Sequence, residues 1–330
     1  MSELALIPEV LEPSERGTLT GQGGYRLAWA RWDHPAPKGR VVLVHGYGEH
    51  GERYAHTAKW LHDLGWAVSS LDQRGFGRSE GPRGDADGIR PFAEDLALFL
   101  RQERRADAAR AGAPPRVVDG VPLPPLPVWP QIVLAHSFGG LVALLTLLWH
   151  EDTLDGLVLS SPAVALRQSS RALQILGHLL VRIWPHLRLN IGGDKSKVCS
   201  DPVLVQRYWA DPLCHKWATP AFSAALAEGR REILPYGAEL ARPILLLEAG
   251  DDTVVDPDTS EALWSALPAG LLERHRLPGF YHEVFHDRRR AEAQALVEPW
   301  LEARLRAFPG GFRGNEAPGS ATLEGPKESA

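Results

Sequence analysis

Val133-Leu134-Ala135-His136-Ser137-Phe138-Gly139-Gly140 joins an apolar, β-branched run to a serine, with small residues two positions to either side. A helix-like pattern begins directly after it. That is the layout of a nucleophile elbow, in which a strained turn at the end of a sheet strand lifts the serine hydroxyl into a cleft. The flanking positions must be small because strand and helix nearly collide there. Ala135 stands where the usual pattern has glycine. Alanine is the next smallest choice, so the departure weakens the motif without breaking it. On its own the octet also fits a strand–turn–helix junction that happens to carry serine, and its weight depends on the rest of the chain.

A serine hydroxyl is a poor nucleophile. It needs a base to take its proton, a third group to orient that base, and donors for the developing oxyanion. On a sheet with such an elbow the partners follow in the order Ser, then Asp or Glu, then His. Ile244-Leu245-Leu246-Leu247-Glu248-Ala249-Gly250-Asp251-Asp252 runs an apolar strand into a Gly turn that holds acids at the sheet edge. Asp252 is the first choice, Asp251 the second and Asp256 the third, against the plain alternative of solvated turn residues. The base should follow the last strand. Of thirteen histidines, His282 lies in the Gly-led turn after Leu277, and His286 is the nearest rival. The oxyanion donors would be the N–H of Phe138, just after the serine, and the N–H of Tyr47 in the loop after an early strand. Glu49, His50 and Arg53 in that loop read as a polar network holding it in place. Asp72–Gly84 is a glycine-rich loop, but it does not open a helix directly, so a dinucleotide reading fails. Its Asp72 and Arg74 read as braces for the loop beside the elbow.

The remaining features bound the class. The chain has 330 residues, 44% hydrophobic and 23% charged, with a net charge of −5. That composition is globular, and nothing in it suggests a nucleic-acid partner. Eleven tryptophans are many, and amphipathic rings suit apolar ligands. Cys199 and Cys214 lack metal-ligand spacing and read as two reduced thiols. The first residues show no basic and apolar leader pattern, and no run of about 18 apolar residues exists. The expectation is a cytoplasmic protein. Short apolar runs alternate with helical segments, which argues for an α/β fold with a mostly parallel sheet and helices on both faces. Residues 111–130 hold seven prolines and read as an extended surface loop. Residues 309–330, rich in Gly, Pro, Ser and Glu, read as a disordered tail. Residues 162–237 are helical in pattern, without a strand, and fall between two core strands, where a lid would be inserted. Between Ala172 and Trp184 only Gln174, His178 and Arg182 form a polar strip. The preferred reading there is a helix buried on two sides; the sharper one is a face for an acyl chain or a lipid surface.

Taken together these residues resemble the α/β-hydrolase fold, and more narrowly its monoacylglycerol lipase and lysophospholipase branch. HGYGEHGERY (His45–Tyr54) is similar to the branch's HGxxEHxxRY, and DQRGFGRSEGPRG (Asp72–Gly84) to its DxRGxGxSxGxRG. Ser200-Asp201-Pro202, Tyr208 and Asp211-Pro212-Leu213 resemble its lid signature. The Ala before His136-Ser137 resembles the elbow of some bacterial lysophospholipases. The likeness runs from about Leu27 to Leu305, and the Pro-rich stretch looks like an insertion relative to the family. It implies a Ser137–His282–Asp252 triad under a helical lid, neither cofactor nor metal, and esters of single acyl chains, such as lysophospholipids or monoacylglycerols, as substrates. Transient contact of the lid with a membrane surface is expected from the apolar face of Ala172–Trp184. The implied division is a core over 1–161 and 238–308 with the lid over 162–237. An aminopeptidase, short-chain esterase or acyltransferase using the same triad, and a non-catalytic binding protein on this fold, stay open as alternatives.

Overall fold

Period-two alternation along the central strands sends successive side chains to opposite faces, so both faces of the sheet are apolar and both must be covered. The computed structural model describes residues 8–113, 116–118, 121–123, 128–167, 171–191 and 194–308. In chain order the elements are β1 (Glu15–Thr20), β2 (Arg26–Trp32), β3 (Arg40–Val44), α1 (Ala55–Asp63), β4 (Ala67–Leu71) and α2 (Arg90–Arg110). Then come β5 (Arg116–Val118), β6 (Val121–Leu123), β7 (Gln131–His136), α3 (Phe138–Trp149), β8 (Gly156–Ser160), α4 (Arg171–Ile183) and β9 (Leu189–Asn190). The chain continues through α5 (Pro202–Ala210), β10 (Trp217–Ala218), α6 (Pro220–Ile233), β11 (Ile244–Ala249), α7 (Glu261–Ser265), β12 (Leu272–Leu277) and α8 (Arg290–Ala307).

Eight strands form one sheet in the order β1-β2-β4-β3-β7-β8-β11-β12. From β4 to β12 every pairing is parallel, and β1 and β2 join antiparallel at one edge. This is the mostly parallel α/β-hydrolase arrangement the motif resemblance implied. Val42, Val44, Val133, Ala135, Leu157, Leu159 and Leu246 pack with α2, α3 and α6 on one face. Val41, Leu43, Ile132, Leu134, Val158, Leu245 and Leu247 pack with α1 and α8 on the other. Helix α3 follows the elbow and is buried from Phe138 to Leu147 between α2 and α6. A helix apolar all round has to sit inside, and this one fixes where β7 ends.

Three segments depart from the sequence expectations. Within the Pro-rich stretch, β5 and β6 pair antiparallel with Arg116 opposite Leu123, where an extended loop was expected. The signal was Asp119-Gly120, a hairpin dipeptide between two valine-containing triplets. Residues 162–237 contain a two-residue ladder, Trp217↔Asn190 and Ala218↔Leu189, as well as helices. Finally, α4 is not buried on two sides: Leu176, Leu179, Ile183 and Trp184 all face solvent. Its apolar surface exceeds what one packing partner covers. Gln174, with the rest of 171–175, has no described side chain, and the 309–330 tail lies outside the described residues.

Candidate active site

Parallel strands bring their carboxyl ends to one edge of the sheet, and every candidate catalytic residue follows such an end. Ser137 comes directly after β7 and takes φ 51° and ψ −116°, a strained conformation for a residue with a side chain. Its N–H donates to Ser160 O of β8 at 3.0 Å, and its carbonyl accepts from Gly140 and Ala163 at 2.9 Å each. Gly139 explains the small-residue rule: a Cβ there would lie 2.4 Å from His45 O and 2.6 Å from Val44 O. Ala135 fits in full burial, so the departure from glycine costs the turn nothing visible.

The structure brings Ser137, His282 and Asp252 together. His282 Nδ1 donates to Asp252 Oδ2 at 2.7 Å, and His282 Nε2 accepts from Ser137 Oγ at 2.8 Å. The direction follows from chemistry: an ionised carboxylate only accepts, which leaves Nε2 free to receive a proton. The other Asp252 oxygen accepts from the amides of Val254 (2.7 Å) and Val255 (2.9 Å). Burial on its own would raise the Asp252 carboxyl. The bond and charge of His282 and the two amides outweigh it, so the group stays ionised below its ordinary range. All three side chains are buried. Asp251 is exposed, Asp256 is half-buried, and His286 points to Arg53 O at 3.4 Å.

The sequence reading names Tyr47 and Phe138 as oxyanion donors; Tyr47 lies in the loop after β3 and Phe138 directly after Ser137. Phe138 is the first residue of α3, where an N–H has no partner in the helix. Their side chains share one aromatic cluster: Tyr47 packs on Phe76 and Phe222 at 5.4 and 4.6 Å, and Phe138 on Phe222 and Phe92 at 5.0 and 5.2 Å. The loop between them is held from below. Gln73 N–H donates to His45 Nε2 at 3.0 Å, so His45 Nδ1 donates to Gly46 O at 2.7 Å. Burial lowers His45 to about 4 and keeps it neutral.

Glu49 and Arg53 form the expected network: Glu49 accepts from Gly46 N–H (2.6 Å), Tyr54 (2.9 Å) and Arg53. His50 does not join it. Its Nε2 bonds Asp211 of the 162–237 segment at 2.8 Å. Asp72 braces its own loop through the amide of Arg78 and ties it to the His45–Tyr54 stretch through the amide of Gly51, both at 2.8 Å. Arg74 leaves that loop and pairs with Asp95 on α2.

Sequence reasoning missed two neighbours of His282. His136 lies with its ring 4.8 Å from that of His282, and burial holds it neutral, lowered to about 3. A neutral ring there raises no charge against an imidazolium. Glu283 is fully buried beside His282, pairs with Lys195 and with Arg53 (3.3 Å), and lies 3.8 Å from His286, which burial keeps neutral. The adjacency of Glu283 to the candidate base was visible; its partners, far apart in sequence, were not.

Several bonds tie the core loop to the 162–237 segment. His215 N–H donates to Gly48 O at 3.0 Å, and Tyr208 OH donates to the same carbonyl at 3.3 Å. Gly48 has φ +73°, and a Cβ there would meet His215 O at 2.4 Å. Tyr47 OH donates to Trp217 O. Among the described residues, His50, Asp211 and Cys214 bring potential ligand atoms within 4.8 Å of one another. Here the His50 ring is committed to Asp211, and burial pushes the Cys214 thiol up to about 12. The group therefore serves as a polar link between loop and segment. Both cysteines are free thiols.

Comparison with known proteins places this geometry. Residues 35–289 match the family model Hydrolase_4, described as "Serine aminopeptidase, S33". The chain is 30% identical to a monoacylglycerol lipase of Mycolicibacterium smegmatis, covering 87% of this chain and 97% of that one. It is 24% identical to a Bacillus subtilis phospholipase, covering 82% and 99%. The crystal structure of a monoacylglycerol lipase from Paleococcus ferrophilus superposes with a TM-score of 0.70 at 26% identity, covering 84% and 99%. The chain belongs to the α/β-hydrolase family Hydrolase_4, among the serine hydrolases related to monoacylglycerol lipases.

Proposed function

We propose that the protein is a carboxylester hydrolase that cleaves single-acyl-chain lipids, monoacylglycerols or lysophospholipids, through a Ser137 acyl-enzyme. The observation that carries the reading is the hydrogen-bonded chain Asp252–His282–Ser137 at the end of a strained elbow. Ser137 Oγ attacks the ester carbonyl carbon while His282 Nε2 takes the hydroxyl proton. The tetrahedral oxyanion accepts from the N–H groups of Tyr47 and Phe138. The ester C–O bond then breaks, and His282 returns the proton to the leaving alcohol. Water repeats the cycle on the acyl-enzyme and releases the fatty acid. Asp252 stays ionised throughout, orients His282 and stabilises the imidazolium.

The 162–237 segment acts as the lid in this reading. Its half-exposed Leu176, Leu179, Ile183 and Trp184 support a surface that meets lipid aggregates. None of the described helices is long and apolar enough to cross a membrane, so such contact is peripheral. A peptidase would need a carboxylate free to hold a substrate amino group. Asp201, Asp211 and Glu228, three acids of the segment close to the core, already hold partners: Asp201 caps α5, Asp211 holds His50 and Glu228 accepts from Ile89 N–H at 3.3 Å.

Ser137→Ala and Asp252→Asn test the assignment against a medium-chain p-nitrophenyl ester, a monoacylglycerol and an amino-acid p-nitroanilide. Ser137→Ala should abolish turnover and fluorophosphonate labelling, and Asp252→Asn should lower kcat by about 10³–10⁴. Retained turnover in Ser137→Ala refutes the nucleophile, and preference for the anilide refutes the ester reading. Vesicle flotation should be lost in Trp184→Ser/Ile183→Ser if the lid surface docks on lipid; undiminished flotation excludes that surface.

A further inference from the structure

A groove of about 370 Å³ lies within the 162–237 segment, between α4 and α6. Strands β9 and β10 supply Leu189 and Ala218 to it. Its walls are mostly apolar or small, among them Leu180, Val181 and Ala224, with His178, Thr219 and Ser223 as neutral-polar exceptions. None of Ser137, His282, Asp252, Tyr47 and Phe138 lines it, so it is not the catalytic cleft. Its volume lies in the range of small-molecule sites, and its lining has the usual form of apolar walls with a few polar groups.

The charge on this groove has one sign. Arg182 of α4 and Arg231 of α6 both line it, and no acidic residue does. Both arginines reach solvent, and neither has an ion pair among the described residues. Arg31, Arg40, Arg53 and Arg274, by contrast, each hold a carboxylate. Two guanidinium groups left over at an apolar groove fit a ligand with one aliphatic chain and one anionic end. A guanidinium meets a carboxylate by paired N–H donors, and the chain removes apolar surface of α4 and α6 from water.

We propose that this groove is a second, non-catalytic site for a free long-chain carboxylate, its chain between α4 and α6 and its headgroup held by Arg182 and Arg231. The choice of a fatty acid over another amphiphilic anion rests on the proposed hydrolysis, which releases one fatty acid per turnover. The site itself does not depend on that reaction. Trp217 O, next to Ala218 of the groove floor, accepts from Tyr47 OH, so an occupant would press on the strand that also anchors the oxyanion loop.

The test uses the full chain with Ser137 blocked by a fluorophosphonate, or the Ser137→Ala variant if no label is taken up. Binding of decanoate is measured by titration calorimetry below its micellar range, with 1-decanol as the uncharged control. One decanoate per chain is expected. Arg182→Gln/Arg231→Gln should weaken it about tenfold while leaving 1-decanol unchanged. Ala224→Leu, which fills the groove with a good helix former, should remove both ligands. High salt should weaken decanoate alone. Absence of binding, binding unchanged in the double arginine variant, or binding unchanged in Ala224→Leu would each overturn the proposal. None of these readouts uses turnover: a protein that binds decanoate in the groove but cleaves no ester loses the proposed function and keeps the site.

Discussion

Replacing Lys195 by Met isolates the contact by which the 162–237 segment reaches the neighbour of His282. The Lys195 ammonium pairs with Glu283 and lies 4.0 Å above the Tyr208 ring. Both groups of the pair are buried, with side-chain exposures of 13% and 3%. Breaking a buried pair from one side costs about 3–5 kcal/mol, because the remaining charge is stranded away from water. Glu283 retains Arg53 at 3.3 Å, so part of that cost is covered. The expected loss is therefore about 2–3 kcal/mol, or about 4 °C in Tm for a chain of this size. The sign with pH is fixed. Burial would raise the Glu283 carboxyl, but Lys195 and Arg53 outweigh it and hold it well below its ordinary value. A depressed carboxyl stabilises the fold above its unfolded pKa and loses that contribution as pH falls through the folded value. The penalty of Lys195→Met should accordingly be full at pH 7 and shrink in acid. Thermal melts of Lys195→Met, Glu283→Gln and the double variant form a cycle, in which a coupling of about 2 kcal/mol is expected. Additive losses, or a Lys195→Met penalty that does not change with pH, would refute the claim that this pair is a compensated buried charge.

Two further outcomes follow from the same structure. Gly139→Ala drives a Cβ onto two backbone carbonyls that cannot swing aside, so a loss of about 1–3 kcal/mol and a fall in kcat through displacement of the His45–Tyr47 loop are expected; normal melting and kinetics would show the elbow to be looser than described. His45 and His56 are lowered to about 4 and His136 to about 3, in each case by burial. The unfolded chain binds protons at these positions below about pH 6.5 that the folded chain refuses, so stability falls as pH drops from there toward 4 and 3, by up to about 1.4 kcal/mol per pH unit for each group. Urea midpoints at pH 7, 6 and 5 check this, and a flat profile would mean that these rings are protonated in the fold.

What the sequence made legible is what local chemistry controls. The elbow, the acid after β11 and the histidine after β12 each sit within a few residues of a strand end, so their spacing along the chain already places them on one edge. The apolar runs of β7 and β11 read directly as buried strands because nothing polar interrupts them. The α4 surface misled for a different reason. A wide apolar face in sequence is the same whether another helix covers it or solvent does, and only the tertiary arrangement tells the two apart. The small ladder of β9 and β10 has two residues a side, too short for any period to register. His50 was read with Glu49 and Arg53 because they are close in sequence, but its partner Asp211 is 161 residues away.

The same division separates mechanism from substrate. Ser137, His282 and Asp252 are held by backbone bonds within strand ends and turns: Ser137 N–H to Ser160 O, and Val254 and Val255 N–H to Asp252. These bonds exist whatever covers the cleft. The 162–237 segment is attached both by side chains, His50 to Asp211, Tyr47 to Trp217 O and Lys195 to Glu283, and by backbone amides, Ala163 N–H to Ser137 O and Arg167 N–H to Val254 O. Under the proposed function, substitutions in α4, β9 and β10 reshape the acyl-binding surface without touching the relay. Among the described contacts the segment reaches the Ser137–His282–Asp252 group at three places: the Tyr47 side chain, Glu283 beside His282, and residues 163–167, where Ala163 N–H bonds Ser137 O and Arg167 Nε bonds Asp252 O, both at 2.9 Å. In the proposed function, variation in substrate should therefore map to α4, β9, β10 and the start of α6, while loss of turnover with substrate binding intact should map to those three places and the relay itself.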